Sequence, residues 1–92
     1  MMRRDVFQAI ADPTRRNIIN LLVRQNLTLN AVAKNFKMSR PAISKHIRIL
    51  VECGVVNIRQ QGRLRICIAN LSHLKTVYEW VRQYQLFWSN DN

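Results

Sequence analysis

Acid is scarce in this 92-residue sequence: five Asp and Glu stand against fifteen Lys and Arg, a net charge of +10. The five carboxylates are scattered, so paired-carboxylate catalysis has nothing to build on, and neither a Ser-His-acid arrangement nor a phosphate loop is visible. An enzyme is therefore the least favoured class. Two cysteines, Cys53 and Cys67, do not make a disulfide framework and suit a reducing compartment. Together with His46 and His73 they lack ligand-like spacing, whereas zinc needs about four N, S or O ligands, or three plus water. No metal and no cofactor are expected. No apolar run approaches the roughly 20 residues of a membrane span. The opening MMRRDVFQAIADP has an amphipathic pattern in place of an apolar signal core. A cytoplasmic location without a membrane partner is expected. Repeats, low-complexity tracts and Gly/Pro/Ser-rich linkers are absent, so residues 1–92 read as a single domain with one small core.

What is present is positive charge, which favours a polyanion, and nucleic acid is the commonest such partner. An anionic membrane surface is the rival, but these charges are spread along the chain and not bunched in one run.

The stretch from Thr28 to Gly54 gives that charge a shape. Leu29, Val32, Ala33 and Phe36 recur at helical spacing, Lys37 and Met38 turn the chain, and Ser39 opens a second helix ending near Cys53, with Gly54 as its stop. Two such helices about a short turn are the pattern of helix-turn-helix DNA binding. Thr28 and Ser39 are N-caps by residue type, and Ala42 is the natural donor to Ser39 because Pro41 has no N–H. A Lys at the inter-helix turn should cost about 1 kcal/mol if it adopts a left-handed conformation. In the second helix Arg40, Pro41, Ser44, Lys45 and Arg48 fall within about 140° of arc, opposite Ile43, His46, Ile47, Leu50 and Cys53. A helix with that basic face fits a major groove, where Arg and Lys read guanine and Ser contacts bases or phosphates. A solvated surface helix would show the same face. The preceding helix, the turn, the cap and the pattern of the chain after Gly54 favour DNA.

Upstream, Arg3 to Ala11 reads as a first helix with Val6, Phe7 and Ile10 on one side. Asp12 caps a second, with Pro13 at its first position, and Ile18, Ile19, Leu21, Leu22 and Val23 should form the centre of the core. Arg15 and Arg16 sit in its first turn, where the helix dipole disfavours cations. Either they are solvated, or a phosphate lies beside that terminus.

After Gly54 the period becomes two. Val56 and Ile58 alternate with Asn57 and Arg59, and Leu64, Ile66 and Ile68 alternate with Arg65 and Cys67. This predicts a β-hairpin with an apolar and a basic face, packed on the helices because two strands alone are marginal. The fold expected is mainly α with a small hairpin, a winged helix-turn-helix in the order α-α-α-α-β-β-α. Its wing is tipped by Gln61 and Arg63, flanked by Arg59 and Arg65, and suited to phosphate or minor-groove contact.

A last helix, Leu71 to Trp88, carries two adjacent stripes: Leu71, Leu74, Tyr78, Val81 and Trp88, then Val77, Trp80, Tyr84 and Phe87. Together they cover about 200°, wider than packing on its own core requires. A second copy of the helix across a twofold axis is the simplest cover.

Taken together these residues resemble the ArsR-type winged-helix repressors. The resemblance rests on ADPTRRNIINLL (Ala11 to Leu22), LTLNAVAKNFKMSRPAISKHIRILVECGVV (Leu27 to Val56), QGR in the wing (Gln61 to Arg63) and YQLFW (Tyr84 to Trp88). It implies a homodimer joined through the first and last helices, and repression by binding an operator, often the protein's own. Metal-sensing members carry a thiolate cluster on the first helix of the DNA-binding pair, where this chain has Leu29-Asn30-Ala31-Val32-Ala33. Others hold zinc between the last helices with Asp and His pairs, where this chain has only His73. The resemblance is thus to the branch without a metal site.

The function expected is a homodimeric repressor on double-stranded DNA with an inverted-repeat site. Arg40, Pro41 and Ser44 would discriminate bases. Ser39, Lys45, Arg48, Arg59, Gln61, Arg63, Arg65, Arg15 and Arg16 complete the DNA-binding set. Val6, Phe7, Ile10, Leu74, Val77, Tyr78, Trp80, Val81, Tyr84, Phe87 and Trp88 would form the dimer interface. The alternatives are a ligand- or thiol-redox-responsive repressor, with Cys67 activated by Arg65, and an RNA- or protein-binding winged helix.

Overall fold

Side-chain caps open each of the first four helices. In the computed structural model, which describes residues 4–89, Asp5 Oδ1 accepts from the Gln8 amide at 3.1 Å and Asp12 Oδ2 from the Arg15 amide at 3.0 Å. Thr28 Oγ1 accepts from the Ala31 amide at 3.2 Å, and Ser39 Oγ from the Ala42 amide at 3.3 Å. Each removes an amide that the first turn would leave unpaired. The helices they begin are α1 (Val6–Ile10), α2 (Pro13–Arg24), α3 (Leu29–Ala33) and α4 (Arg40–Glu52). Helix α1 is shorter than its apolar pattern predicts. The expected start at Arg3 lies outside the described residues, and Asp5 takes the cap position.

Helix α3 ends at Ala33, not at Phe36. The Asn35 side-chain amide donates to the Ala31 carbonyl at 2.9 Å, taking the acceptor that the Asn35 backbone amide would use in a longer helix. That amide and the next turn back to Val32 and Ala33 instead, at 3.0 and 3.2 Å. Lys37 carries no left-handed strain, because among the described residues positive φ occurs only at Gly54 and Gly62.

Gly54 ends α4. At φ +79 it lets its own amide reach the Val51 carbonyl at 3.0 Å and the Val55 amide reach Leu50 at 3.0 Å. This pair of bonds is a Schellman closure, in which glycine holds the left-handed position.

Strands β2 (Val56–Gln61) and β3 (Leu64–Ala69) form the hairpin, turned by Gly62 at φ +62 and Arg63. A third strand, unforeseen in the sequence, is β1 (Leu27–Thr28). It pairs antiparallel with β3, Leu27 opposite Cys67 and Thr28 opposite Ile66, so the sheet order is β1-β3-β2. Two residues are too few to show a period.

The register corrects the expected faces of the wing. Val56 lies opposite Ala69, Ile58 opposite Cys67 and Gln60 opposite Arg65, whereas Arg59 lies opposite Ile66 and Gln61 opposite Leu64. Paired residues share a face, so Cys67, not the isoleucines, stands on the core side of β3. Cys67 is wholly buried, Ile66 and Ile68 half-buried, and Leu64 exposed. Small Cys67 and Ala69 suit the packed layer under the helices, and that layer decides the register.

One core unites these elements. Ile18, Ile19 and Leu22 of α2 meet Val32 of α3, Ile43, Ile47 and Leu50 of α4, and Val55, Val56 and Cys67. Val6 and Ala9 of α1 complete it; Leu21 packs at its edge and Val23 is exposed. Helix α5 (Leu74–Arg82) is shorter than the predicted Leu71–Trp88, and a 3-10 turn (Gln85–Phe87) follows it. Asn70 Oδ1 accepts from the Ser72 amide and hydroxyl at 3.3 and 2.9 Å, which holds residues 70–72 in a turn. At the other end Tyr84 and Phe87 close i to i+3 bonds on Val81 and Tyr84 at 3.0 and 2.9 Å, tightening the chain out of the α period.

Candidate nucleic-acid interface

Burial of Ile43, Ile47 and Leu50 turns the opposite side of α4 outward. Arg40, Pro41, Lys45 and Arg48 are exposed and Ser44 is half-buried, so the basic arc expected of this helix is open to a partner. Ser39, just before it, serves as the cap. His46 is half-buried between α4 and α2, with Nδ1 at 3.9 Å from Asp12 Oδ2 and 3.5 Å from Arg15 Nη1. It packs inward, as its place on the helix predicts. Asp12 is partly buried, which opposes its charge. The Arg15 and Thr14 amides, with His46 and the Arg15 charge, nonetheless hold its carboxyl below the ordinary 3.8.

The wing stands beside this helix. Arg40, Arg63 and Arg65 line one cleft together with Asn30. Arg65 also lines a second cleft of about 240 Å³ with Ser44 and Arg48. A groove with guanidinium groups along it thus separates α4 from the wing. No acidic side chain lines either cleft, and among the described residues no ion pair engages Arg48, Arg63 or Arg65. Uncompensated cations along a groove create a potential that draws phosphates. Arg59 is exposed on the other face of the wing, and Gln61 is exposed beside the tip.

Arg15 and Arg16 have a different setting. Arg15 donates from Nε to the Ala9 carbonyl at 3.1 Å and from Nη2 to the Gln8 carbonyl at 2.9 Å; Arg16 Nη1 donates to the Ile10 carbonyl at 2.8 Å. These cations satisfy the last carbonyls of α1, where the helix dipole welcomes them. Asn30 is a site residue that its sequence context does not mark. Its Oδ1 accepts from Arg40 Nε at 2.5 Å. Ten positions separate the two, and no local pattern signals the contact.

Neither thiol is poised for chemistry. Burial pushes both Cys53 and Cys67 above the usual thiol value. Arg4 and Arg15 at Cys53, and Arg65 at Cys67, oppose that push without reversing it. Among the described residues no three His, Cys, Asp or Glu side chains come together, and no helix is long and apolar enough to cross a membrane.

The end of the molecule formed by α1 and α5 is apolar. Leu74 and Val77 pack on the core, and Val6 is buried with Ile10 at its edge. Beyond them Phe7, Trp80, Tyr84 and Phe87 form a ladder of ring contacts at 6.0, 5.4 and 6.4 Å between centroids. Tyr78, Val81 and Trp88 are exposed nearby.

A capped helix pair whose second member presents a basic face, followed by a hairpin wing, is a winged helix-turn-helix transcriptional regulator. Residues 12–57 match the profile of bacterial regulatory proteins of the arsR family. The chain is 34% identical over 80 residues to the transcriptional repressor SdpR of Bacillus subtilis, covering 87% of this chain and 89% of SdpR. It superposes on the crystal structure of an ArsR-family transcriptional regulator with a TM-score of 0.79 and 37% identity, over 91% of this chain and 92% of that one. A homodimeric winged helix-turn-helix DNA-binding domain from Mycobacterium bovis shares the fold, with a TM-score of 0.70 at 23% identity over 88% of this chain and 78% of that one. The chain therefore belongs to the arsR family, and its relatives are transcriptional regulators, not enzymes.

Proposed function

We propose that this protein is a homodimeric transcriptional repressor that binds an inverted-repeat operator, in the simplest case its own. The observation that carries the reading is the acid-free groove between α4 and the wing, with Arg40, Arg48, Arg63 and Arg65 along it. The N-terminal end of α4, with Arg40, Pro41 and Ser44, enters the major groove and meets base edges. Lys45 and Arg48, further along α4, and Arg59, Gln61, Arg63 and Arg65 of the wing meet phosphates or the minor groove. Arg15 and Arg16 support this surface by seating α1 on α2.

Dimerisation through α1, α5 and the 3-10 turn supplies the second recognition helix. It covers rings that the monomer leaves in water, and two copies about a twofold axis read two half-sites one helical turn apart. The repressor activity of SdpR and the homodimeric state of the Mycobacterium bovis domain agree with this arrangement. Without a thiolate on α3, and with His73 the only histidine near α5, regulation does not run through a metal.

Selection of bound duplexes from a random pool tests the proposal. An imperfect palindrome with half-site centres about 10 base pairs apart is the expected result. Enrichment of no sequence, or of single-stranded RNA in a parallel pool, overturns it. A match upstream of the protein's own gene supports autorepression.

A further inference from the structure

We infer that Asn30, on the helix before the recognition helix, is a positioning residue for DNA reading: it holds the Arg40 guanidinium by Nε and leaves the two Nη groups to meet a base. The inference rests on the proposed approach of Arg40 to base edges.

The geometry has one chemical reading. Arginine Nε is only a donor, so the Asn30 atom 2.5 Å from it must be the amide oxygen. A guanidinium can grip a pair of acceptors by its side edge, Nε with one Nη, or by its end, Nη1 with Nη2. With Nε committed to Asn30, the end remains for guanine O6 and N7.

Arg40 needs such a holder. It is exposed at the first position of α4, and a long side chain there has many rotamers to lose on binding. It also shares a cleft with Arg63 and Arg65, whose charges repel it. A neutral acceptor fixes the guanidinium without cancelling the charge that DNA requires. An aspartate in its place would hold Arg40 too, but would put a negative charge beside the phosphates.

Asn30 is itself well anchored. It is the second residue of α3, one residue before the amide that Thr28 caps, and Leu27 and Thr28 are paired to β3. Strand β1, which no period in the sequence marks, thus carries the order of the sheet through α3 to the reading end of α4. Support of this kind keeps a contacting group in the geometry it will use.

The test titrates wild type, Asn30→Ala, Arg40→Ala and the double variant against the selected operator duplex and a random duplex of equal length, at several salt concentrations. Alanine at an exposed helical position favours the helix, and a thermal melt verifies that each variant is folded. Asn30→Ala should lower the operator-to-random affinity ratio roughly three- to tenfold, the scale of coupling between contacting groups. It should leave the salt slope unchanged and lower the ratio no further in the Arg40→Ala background. In pool selection it should relax the same base position that Arg40→Ala relaxes. If Arg40→Ala lowers the ratio and Asn30→Ala does not, positioning is overturned and the role of Arg40 survives. An equal effect of Asn30→Ala with and without Arg40, or an equal loss on both duplexes, also overturns positioning. If Arg40→Ala itself leaves the ratio unchanged, base reading by Arg40 is overturned and positioning with it.

Discussion

Phe7 of α1 and Trp80 of α5 meet edge to face, their ring centroids 6.0 Å apart and their planes at 82°. The contact ties the first helix to the last and starts the ladder that continues through Tyr84 to Phe87. Yet Trp80 remains 52% exposed and Phe87 80% exposed. Exposed aromatic rings in a row are what the centre of a protein–protein interface contains before its partner arrives. Sedimentation of the wild type at micromolar concentration should give twice the chain mass, and Trp80→Glu should shift it to monomer. A wild-type monomer would remove the twofold axis and the inverted repeat that depends on it.

Charge contacts should divide cleanly between DNA and fold. Arg48→Ala and Arg63→Ala should weaken operator and random DNA alike, and each should flatten the dependence on salt by about one counterion per subunit. Arg15→Ala removes just as much charge. Because its guanidinium is committed to the Gln8 and Ala9 carbonyls, it should lower the melting temperature and leave the salt slope unchanged. Filter binding across a salt series and a thermal melt separate the two outcomes.

Gly54→Ala should be among the most damaging small substitutions in the chain. The left-handed φ of +79 costs about 1–2 kcal/mol for an L-residue. The added Cβ would also stand 3.0 Å from the His73 ring. Gly62→Ala shares a positive φ but meets no atom within 4 Å, so it should cost only the backbone strain. Urea titrations of the two variants should show the larger loss at Gly54.

Asp12 should give the fold a measurable acid sensitivity. Asp12→Ala removes the acceptor for the Arg15 amide and should cost about 1 kcal/mol at neutral pH. The carboxyl of Asp12 is held below its ordinary 3.8 in the folded chain. A group with a depressed folded pKa stabilises the fold above its unfolded value and loses that contribution as pH falls through the folded value. The gap in melting temperature between wild type and Asp12→Ala should therefore be full at pH 7 and shrink below about pH 4.

Native Cys53 and Cys67 should resist iodoacetamide at pH 7 and react in denaturant, because burial raises both thiols above the usual range. Mass spectrometry of the alkylated chain gives the count. Rapid native labelling of Cys67 with loss of DNA binding would revive a thiol switch.

Much of this protein is legible in its amino-acid order, because its signals are local. The caps at Asp12, Thr28 and Ser39, the stop at Gly54 and the outward arc of Arg40, Ser44, Lys45 and Arg48 each depend on residues within a few turns of one another. Backbone geometry alone converts that spacing into a helix with two faces. The hairpin is legible for the same reason, as a period of two on either side of Gly62. Its register is not, since Cys67 faces inward only because helices pack on that side, and a shift of one residue exchanges every face of a strand. Nor could the sequence reveal that Leu27 and Thr28 join the sheet, or that Arg15 turns to the carbonyls of α1. The hold of Asn30 on Arg40 is equally hidden. Those contacts join residues from different elements, and only the closing of one core brings them within reach.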